Sequence, residues 1–472
     1  MPLDSLTLKA ALAELLGEAG VITEASDMPP YCEEPRRRFH TLPAAVVLPR
    51  DVGSVQRLCA WANENRVPLV PQGGNTGLVG GQVPLSGTEV IVSLRHIRAV
   101  REIDAIAGHM TVEAGLTLQE AHEAADRSGQ LFPLTIASQG SARIGGVLST
   151  NAGGVQVLAY GNARELCLGV EAVLADGRLY SGLNALKKNN TGYDLKDLLV
   201  GAEGTLGIIT AATLKLFPAP EDHETALVNV QSPQMALDLF ALVRERAGHT
   251  LTAFELVPRI GIDFQLRHRM LDRDVSASAS PWYALIEIAR PTGGHKGVLH
   301  SALEAGMEKG LLSDGVVAQS LAERTLLWKM REQMSEVQSR EGGSIKHDVS
   351  VPVAAVPRLI EEGSAAARSV VPGIRPVPFG HMGDGNIHFN FSQPEGADKA
   401  EFMAGAGPVH DAVYEVVLRL GGSISAEHGI GQIKAGLLRQ TKDPVALDMM
   451  RAIKRALDPN NILNPGKVLD RL

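Results

Sequence analysis

Two α+β domains are what this sequence predicts, on three observations. A strand–helix–strand pattern over residues 44–70 favours parallel pairing, a hairpin signal at 169–180 favours antiparallel pairing, and the pattern stops at Pro218-Ala-Pro220 before resuming with less glycine and more charge. Length agrees: 472 residues, at ~150 residues per domain, make about three units, or two if one is large. Hydrophobic residues at 44% and charged residues at 21% are enough for an ordinary globular core.

In chain order, residues 5–17 read as an amphipathic helix ended by Gly17 and Gly20. Ala44–Leu48 reads as a buried strand, the stretch from Arg50 as a helix with Asp51 as its N-cap, and Val67–Val70 as a second strand. Strands follow at 89–94 and 110–115, then a helix near Leu118–Ser128 and the hairpin at 169–180, turning at Asp176-Gly177. Residues 206–217 alternate like a strand. Beyond Pro220, a strand is expected at 283–289 and helices at 321–340 and 356–369.

Lys plus Arg number 45 against 53 Asp plus Glu, a net charge of −8. That balance argues against a nucleic-acid partner, because phosphate binding needs a basic face. The one basic cluster, Arg36-Arg37-Arg38, reads as a solvated loop or an anion contact. Cys32, Cys59 and Cys167 lack CxxC spacing and fit a reducing compartment. The N-terminus lacks a basic region followed by an apolar run, and no apolar stretch reaches the ~18 residues needed to span a bilayer. A soluble, cytoplasmic protein is the expectation.

Glycine is the compositional outlier at 49 residues, clustered at 73–81, 140–154, 201–207, 380–385 and 421–431. Such patches imply sharp turns or close backbone approach to a ligand. The loop at 71–81, PQGGNTGLVGG, can turn several N–H groups inward, and GSARIGGVLSTNAGG at 140–154 has the same features. Two uncharged donor loops in one domain suggest an extended anionic ligand part such as a dinucleotide pyrophosphate; tight structural turns are the alternative. GxGxxG, GxxxxGK[ST], HExxH and GxSxG are all absent.

These loops, with NNTGYDLKDLLVGAEGTLGIIT at 189–210, resemble the FAD-binding domain of the vanillyl-alcohol-oxidase/p-cresol-methylhydroxylase superfamily, in the family's order and over nearly the whole chain. The resemblance implies a two-domain fold: an FAD domain (1–217), an antiparallel-sheet substrate or cap domain with the metal site (218–420), and a C-terminal segment (421–472) returning to the first. It implies FAD held by Pro71, Gly73, Gly74, Asn75, Thr76, Gly77 and Leu78, and by Ser138, Gly140, Ser141, Gly145, Gly146, Thr150, Asn151, Ala152 and Gly154. Glu203, Gly204, Gly207, Ile208 and Ile209 would line the cofactor's path, with Asn464 a further contact. Relatives that link the flavin covalently use a His in the first loop; this loop has none, so non-covalent FAD is expected.

A second region is PFGHMGDGNIHFNF at 378–391. Period-two alternation puts Ile387, Phe389 and Phe391 on one face and His388 and Asn390 on the other, as a strand lining a polar cleft requires. His381 sits on a glycine-rich turn that could fold it back toward His388. Far along the chain, SISAEHGIGQIK places Glu427 and His428 between small residues. Two histidines and a carboxylate suit a divalent cation; structural or surface histidines are the alternative. These motifs are similar to those of the FAD-dependent D-2-hydroxyacid dehydrogenases. By that match His381, His388 and Glu427 are metal ligands, for zinc first with manganese or iron as alternatives, and His428 is the catalytic base.

The stretch 328–352 contains Arg331 and Ser335, four apart on a helical pattern, and then Lys346 in an extended stretch. Its R-x₃-S…K-x-D-x-S-x-P pattern resembles the D-2-hydroxyglutarate dehydrogenase branch, which commonly has Thr where Ser335 stands. Arg331, Ser335 and Lys346 would then bind the distal carboxylate of a diacid, with Asn390 assisting. The implied reaction deprotonates the substrate hydroxyl with help from the metal and passes hydride to FAD. Electrons would leave to an electron-transfer flavoprotein or a quinone-type acceptor, from a homodimer. Alternatives are a D-lactate or glycolate dehydrogenase or oxidase, and a flavin- or metal-binding protein without catalysis.

Overall fold

The computed structural model describes residues 4–470. The chain forms two compact units: one takes residues up to 154, 161–219 and from 427 onward, the other 155–160 and 220–426.

In the first unit, helix Ser5–Leu16 starts at Asp4, whose carboxylate accepts the Leu6 and Thr7 N–H groups at 3.0 Å. Helix Val52–Asn65 is capped by Asp51, which accepts the Ser54 N–H at 2.7 Å. Arg66 closes that helix in the left-handed conformation (φ 53°), and the Val67 N–H donates back to the Ala62 carbonyl. Residues 66–68 are therefore used in ending the helix, and the next strand is Leu69–Gln72 rather than 67–70. It runs parallel to Ala45–Val47, but the two are not neighbours: Val90–Ser93 lies between them and pairs in parallel with both. The helical crossover leaves one strand position open, and the chain fills it after the glycine loop.

The C-terminal segment extends the same sheet. Leu69 donates to the Ile462 carbonyl and Asn464 to the Leu69 carbonyl, both at 2.7 Å. A second, antiparallel sheet has the order Val100–Asp104, His109–Glu113, Ile208–Lys215, Cys167–Val173, Leu179–Ser181. Its last pair is the expected hairpin, with Gly177 at φ 83°.

The second unit is built on one antiparallel sheet. Its central order is Trp282–Arg290, Leu251–Pro258, Arg375–His381, Asn386–Ser392. Both faces are covered. Phe254, Leu256, Ile387, Phe389 and Phe391 join the core under helices Pro233–Ala247, Val298–Glu308, Val356–Val370 and Ala406–Arg419. Val257, Tyr283 and Phe379 face the other way, toward Arg259–Arg267 and Leu321–Glu332. The helix expected over 321–340 is two, Leu321–Glu332 and Met334–Arg340. The buried Gln265 amide donates to the Met330 carbonyl at 2.8 Å, taking the acceptor that the Met334 N–H would use in a continuous helix. Arg331 and Ser335 therefore stand on different helices.

Candidate functional site

In the first unit, strand Leu69–Gln72 delivers its chain into the loop 73–81. A methyl group on Gly74 would lie 1.9 Å from the Ser141 carbonyl oxygen, and one on Gly73 would lie 3.4 Å from the Gly146 backbone. The two glycine stretches thus touch backbone to backbone, which only glycine permits at Gly74. Gly145, in the short helix Ile144–Ser149, is tight against Ala114, and Gly154 against the Thr135 carbonyl. Around them, the Ser138 carbonyl accepts the Ser141 N–H, Thr150 Oγ1 donates to the Gly146 carbonyl, and the Ala152 N–H donates to the Val147 carbonyl. Asn151 accepts the Arg164 N–H at 2.9 Å. Gly140 is exposed, Thr76 and Gly77 are half-buried, and the Leu78 carbonyl accepts from Arg38. That contact gives the Arg36–Arg38 cluster a link to the glycine loop.

Asn75 adopts φ 56° and donates its amide to the Glu33 and Pro30 carbonyls. Its buried Oδ1 has no hydrogen-bond partner among the described residues, and neither has Asn464 Oδ1. An orphaned buried acceptor costs about 1–3 kcal/mol, so both oxygens await a donor. Glycine turns rich in N–H groups, with Arg143 the one charged side chain in the two stretches and with two such acceptors, fit an extended dinucleotide.

Glu203 and Asn464 bind this region together. The Glu203 carboxylate accepts the Ile430 and Gly431 N–H groups at 2.7 and 2.8 Å. Asn464 donates to the Gly81 and Glu203 carbonyls at 2.9 and 2.8 Å. Burial pushes the Glu203 carboxyl up, against the pull of those two N–H groups. Gly204 packs on Pro71, Gly207 on Leu199, and Ile208 and Ile209 are buried at the start of strand Ile208–Lys215. Gly429 (φ 78°) lies against Glu203 and Gly431 against the Val79 carbonyl. The turn that follows His428 is therefore fastened to the first glycine loop, with Glu203 as the fastening.

In the second unit, strands Arg375–His381 and Asn386–Ser392 form a hairpin with Phe379 opposite His388. His381 ends the first strand rather than sitting within the turn. The fold brings the two imidazoles to a centroid separation of 5.4 Å. Ile387, Phe389 and Phe391 are wholly buried on the other face, and a methyl on Gly363 would strike Phe389 at 2.2 Å. Asn390 shares the His388 face, and its Oδ1 accepts the His347 N–H at 3.2 Å.

Arg331 is buried and paired with Glu255, Nη2 to Oε2 at 2.6 Å, and its guanidinium lies 4.9 Å from the Phe379 ring. Glu255 Oε1 sits 2.7 Å from His381 Nδ1. Burial alone would raise the Glu255 carboxyl; Arg331 and His381 outweigh it and hold it at about 2. Lys346 donates to the Ser335 carbonyl and hydroxyl at 2.9 and 2.8 Å. Near His381, burial pushes the Asp384 carboxyl up to about 6. Glu255 escaped the sequence reading, although a lone acid inside TAFELVP was a usable signal. Glu427 and His428 open the last segment of the first unit and are joined directly to Ala426. Ala426 belongs to the second unit, where its N–H approaches the Asp348 carbonyl at 3.4 Å.

Residues 43–182 match the FAD binding domain family and residues 219–468 the family of FAD linked oxidases, C-terminal domain. D-2-hydroxyglutarate dehydrogenase of Xanthomonas citri pv. viticola is 38% identical over 95% of this chain and 94% of its own. The enzyme of that name from Stutzerimonas stutzeri is 35% identical over 97% of each. D-2-hydroxyglutarate–pyruvate transhydrogenase of Saccharomyces cerevisiae is 33% identical over 90% of this chain and 86% of its own. Among solved structures, substrate-bound p-cresol methylhydroxylase shares the fold at TM-score 0.76, 18% identity, and 99% and 97% coverage. An alkyldihydroxyacetonephosphate synthase does so at 0.74, 17% identity, and 95% and 83% coverage. Among the described residues no helix is long and apolar enough to cross a membrane.

Proposed function

The chain belongs to the FAD-linked oxidases, alongside the D-2-hydroxyglutarate dehydrogenases, and from that premise we propose that it oxidises a D-2-hydroxyacid, D-2-hydroxyglutarate foremost, to the 2-oxoacid. FAD, when bound, accepts the hydride from the substrate Cα. His428, as a neutral imidazole, accepts the proton from the α-hydroxyl oxygen, so the two hydrogens leave as proton and hydride. Lys346 and Arg331 attract the distal carboxylate of a diacid, with Ser335 and Asn390 as hydrogen-bonding neighbours. His381, His388 and Glu427 would hold a divalent cation, zinc foremost, which would supply Lewis acidity toward the substrate's α-hydroxyl. The donor set suits such an ion: two imidazoles and a carboxylate, with coordination positions left for substrate oxygens.

The observation that carries this reading is the pair of imidazoles, His381 and His388, with ring centroids 5.4 Å apart on one face of the sheet, while Ile387, Phe389 and Phe391 fill the core on the other. The three free cysteines are all buried, in keeping with a reducing compartment, and we assign the cytoplasm. The acceptor of the flavin's electrons is read as an electron-transfer flavoprotein or a quinone, and the assembly as a homodimer.

The test is anaerobic mixing of the FAD-loaded protein with single 2-hydroxyacids. Bleaching of the flavin by D-2-hydroxyglutarate and not by its L-enantiomer supports the reading. Bleaching by D-lactate alone assigns the monoacid instead, and no bleaching by any D-2-hydroxyacid refutes it.

A further inference from the structure

We propose that Glu255 is a positioning residue that orients His381 as a cation ligand and fixes Arg331 at the same time, one carboxylate oxygen serving each. The inference rests on the reading of His381, His388 and Glu427 as ligands. Glu255 lies mid-strand in Leu251–Pro258, and its direct partner across the sheet is His381. Side chains at paired positions leave the same face of a sheet, so the backbone register alone sets the two groups beside each other. Oε1 is 2.7 Å from His381 Nδ1. Oε2 accepts from Arg331 Nε at 2.7 Å. The residue is 1% exposed.

A buried carboxylate paired with an arginine can only accept hydrogen bonds. His381 Nδ1 must therefore carry a proton, which in the neutral ring leaves the lone pair on Nε2, the atom a cation would bind. A carboxylate behind a ligating imidazole fixes its tautomer and ring angle and raises its basicity. The same carboxylate holds the Arg331 guanidinium against Phe379. One side chain thus ties the residue proposed for the substrate's distal end to a ligand proposed for its reacting end. An acid whose only task was to neutralise Arg331 would have no need of His381.

The experiment measures Zn²⁺ affinity of the full-length, FAD-loaded protein by competition with a chromophoric chelator. Glu255→Gln keeps the shape and removes the charge; it is expected to retain FAD and to bind Zn²⁺ about 10- to 100-fold more weakly. Glu255→Asp, which keeps the charge, is expected to recover part of that loss. Zn²⁺ affinity of Glu255→Gln within about twofold of the parent overturns the inference and leaves the metal reading standing. A parent that binds no Zn²⁺ overturns the metal reading, and this inference with it. Should Glu255→Gln fail to fold, the unmodified protein decides. With ¹⁵N-histidine labelling, an exchange-protected Nδ1–H resonance that disappears in His381→Asn supports the inference, and its absence overturns it.

Discussion

Replacing Gly74 with alanine tests whether the two glycine stretches form one cradle. The added methyl would lie 1.9 Å from the Ser141 carbonyl oxygen and 2.7 Å from its carbonyl carbon. Carbon does not approach a non-bonded oxygen closer than about 3 Å, so one loop must retreat by roughly 1 Å. The obstacle is backbone on both sides, and no rotamer change relieves it. Overpacking of this kind costs about 1–3 kcal/mol. Placed on the cofactor-bound geometry, that becomes a loss of about 5- to 150-fold in FAD affinity. The assay is the ratio of flavin to protein absorbance after gel filtration, followed by titration of the apoprotein with FAD. Gly407→Ala is the control: no atom lies within 4 Å of its added methyl, it sits in helix Ala406–Arg419, and alanine favours helix. If Gly74→Ala keeps its FAD and binds it within about twofold of the parent, the contact between the stretches does not shape the cofactor site, and the argument from glycine fails.

Other perturbations bear on the second unit. Lys346→Met is expected to lower kcat/KM for D-2-hydroxyglutarate by about 10- to 100-fold, the worth of a hydrogen bond to a charged group, and to leave D-lactate nearly unaffected; equal losses on both acids would remove Lys346 from the distal site. Chelation is expected to abolish turnover, with recovery on adding Zn²⁺ or Mn²⁺; a metal-free preparation at full activity would contradict the ligand set. Arg331→Ala, the obvious probe of diacid binding, strips the partner from a buried carboxylate and is expected to destabilise the fold by about 3–5 kcal/mol, read as a drop in Tm whatever its effect on substrate choice. Acid should act on the same pair. Glu255 is held at about 2 against an ordinary 4.5, and Arg324 with Trp328 holds Glu287 low against the effect of burial. A carboxyl depressed in the folded state stabilises fully above its unfolded value, and that stability fades as pH falls through the folded one. Unfolding free energy should therefore fall between pH 4.5 and 2, with about 3 kcal/mol from Glu255, and Glu255→Gln should flatten that slope; an unchanged slope would refute the assignment.

What was legible from sequence divides along a physical line. Asp51 as a cap, Gly177 as a hairpin turn and the two faces of NIHFNF depend on interactions within a few residues of chain, and each stands where the pattern put it. Misjudged features depend on partners remote in sequence. The strand Val90–Ser93 separates two strands that looked like neighbours, because sheet order is decided by the whole layer and not by one crossover. The break after Glu332 comes from Gln265, 65 residues earlier than the Met330 carbonyl it takes. The sequence made Arg331 a substrate hook; nothing local shows that Glu255, 76 residues away, already occupies it. That pairing alters the chemistry expected of the site. The Arg331 charge is balanced before any substrate arrives, so the guanidinium offers a diacid its remaining N–H geometry more than an unmatched charge. Discrimination between one carboxylate and two then falls more heavily on Lys346, which donates to the Ser335 carbonyl and hydroxyl. Lys346→Met should for that reason cost diacid selectivity more than any Arg331 variant that still folds, and the reverse ranking would show that Glu255 does not offset the arginine.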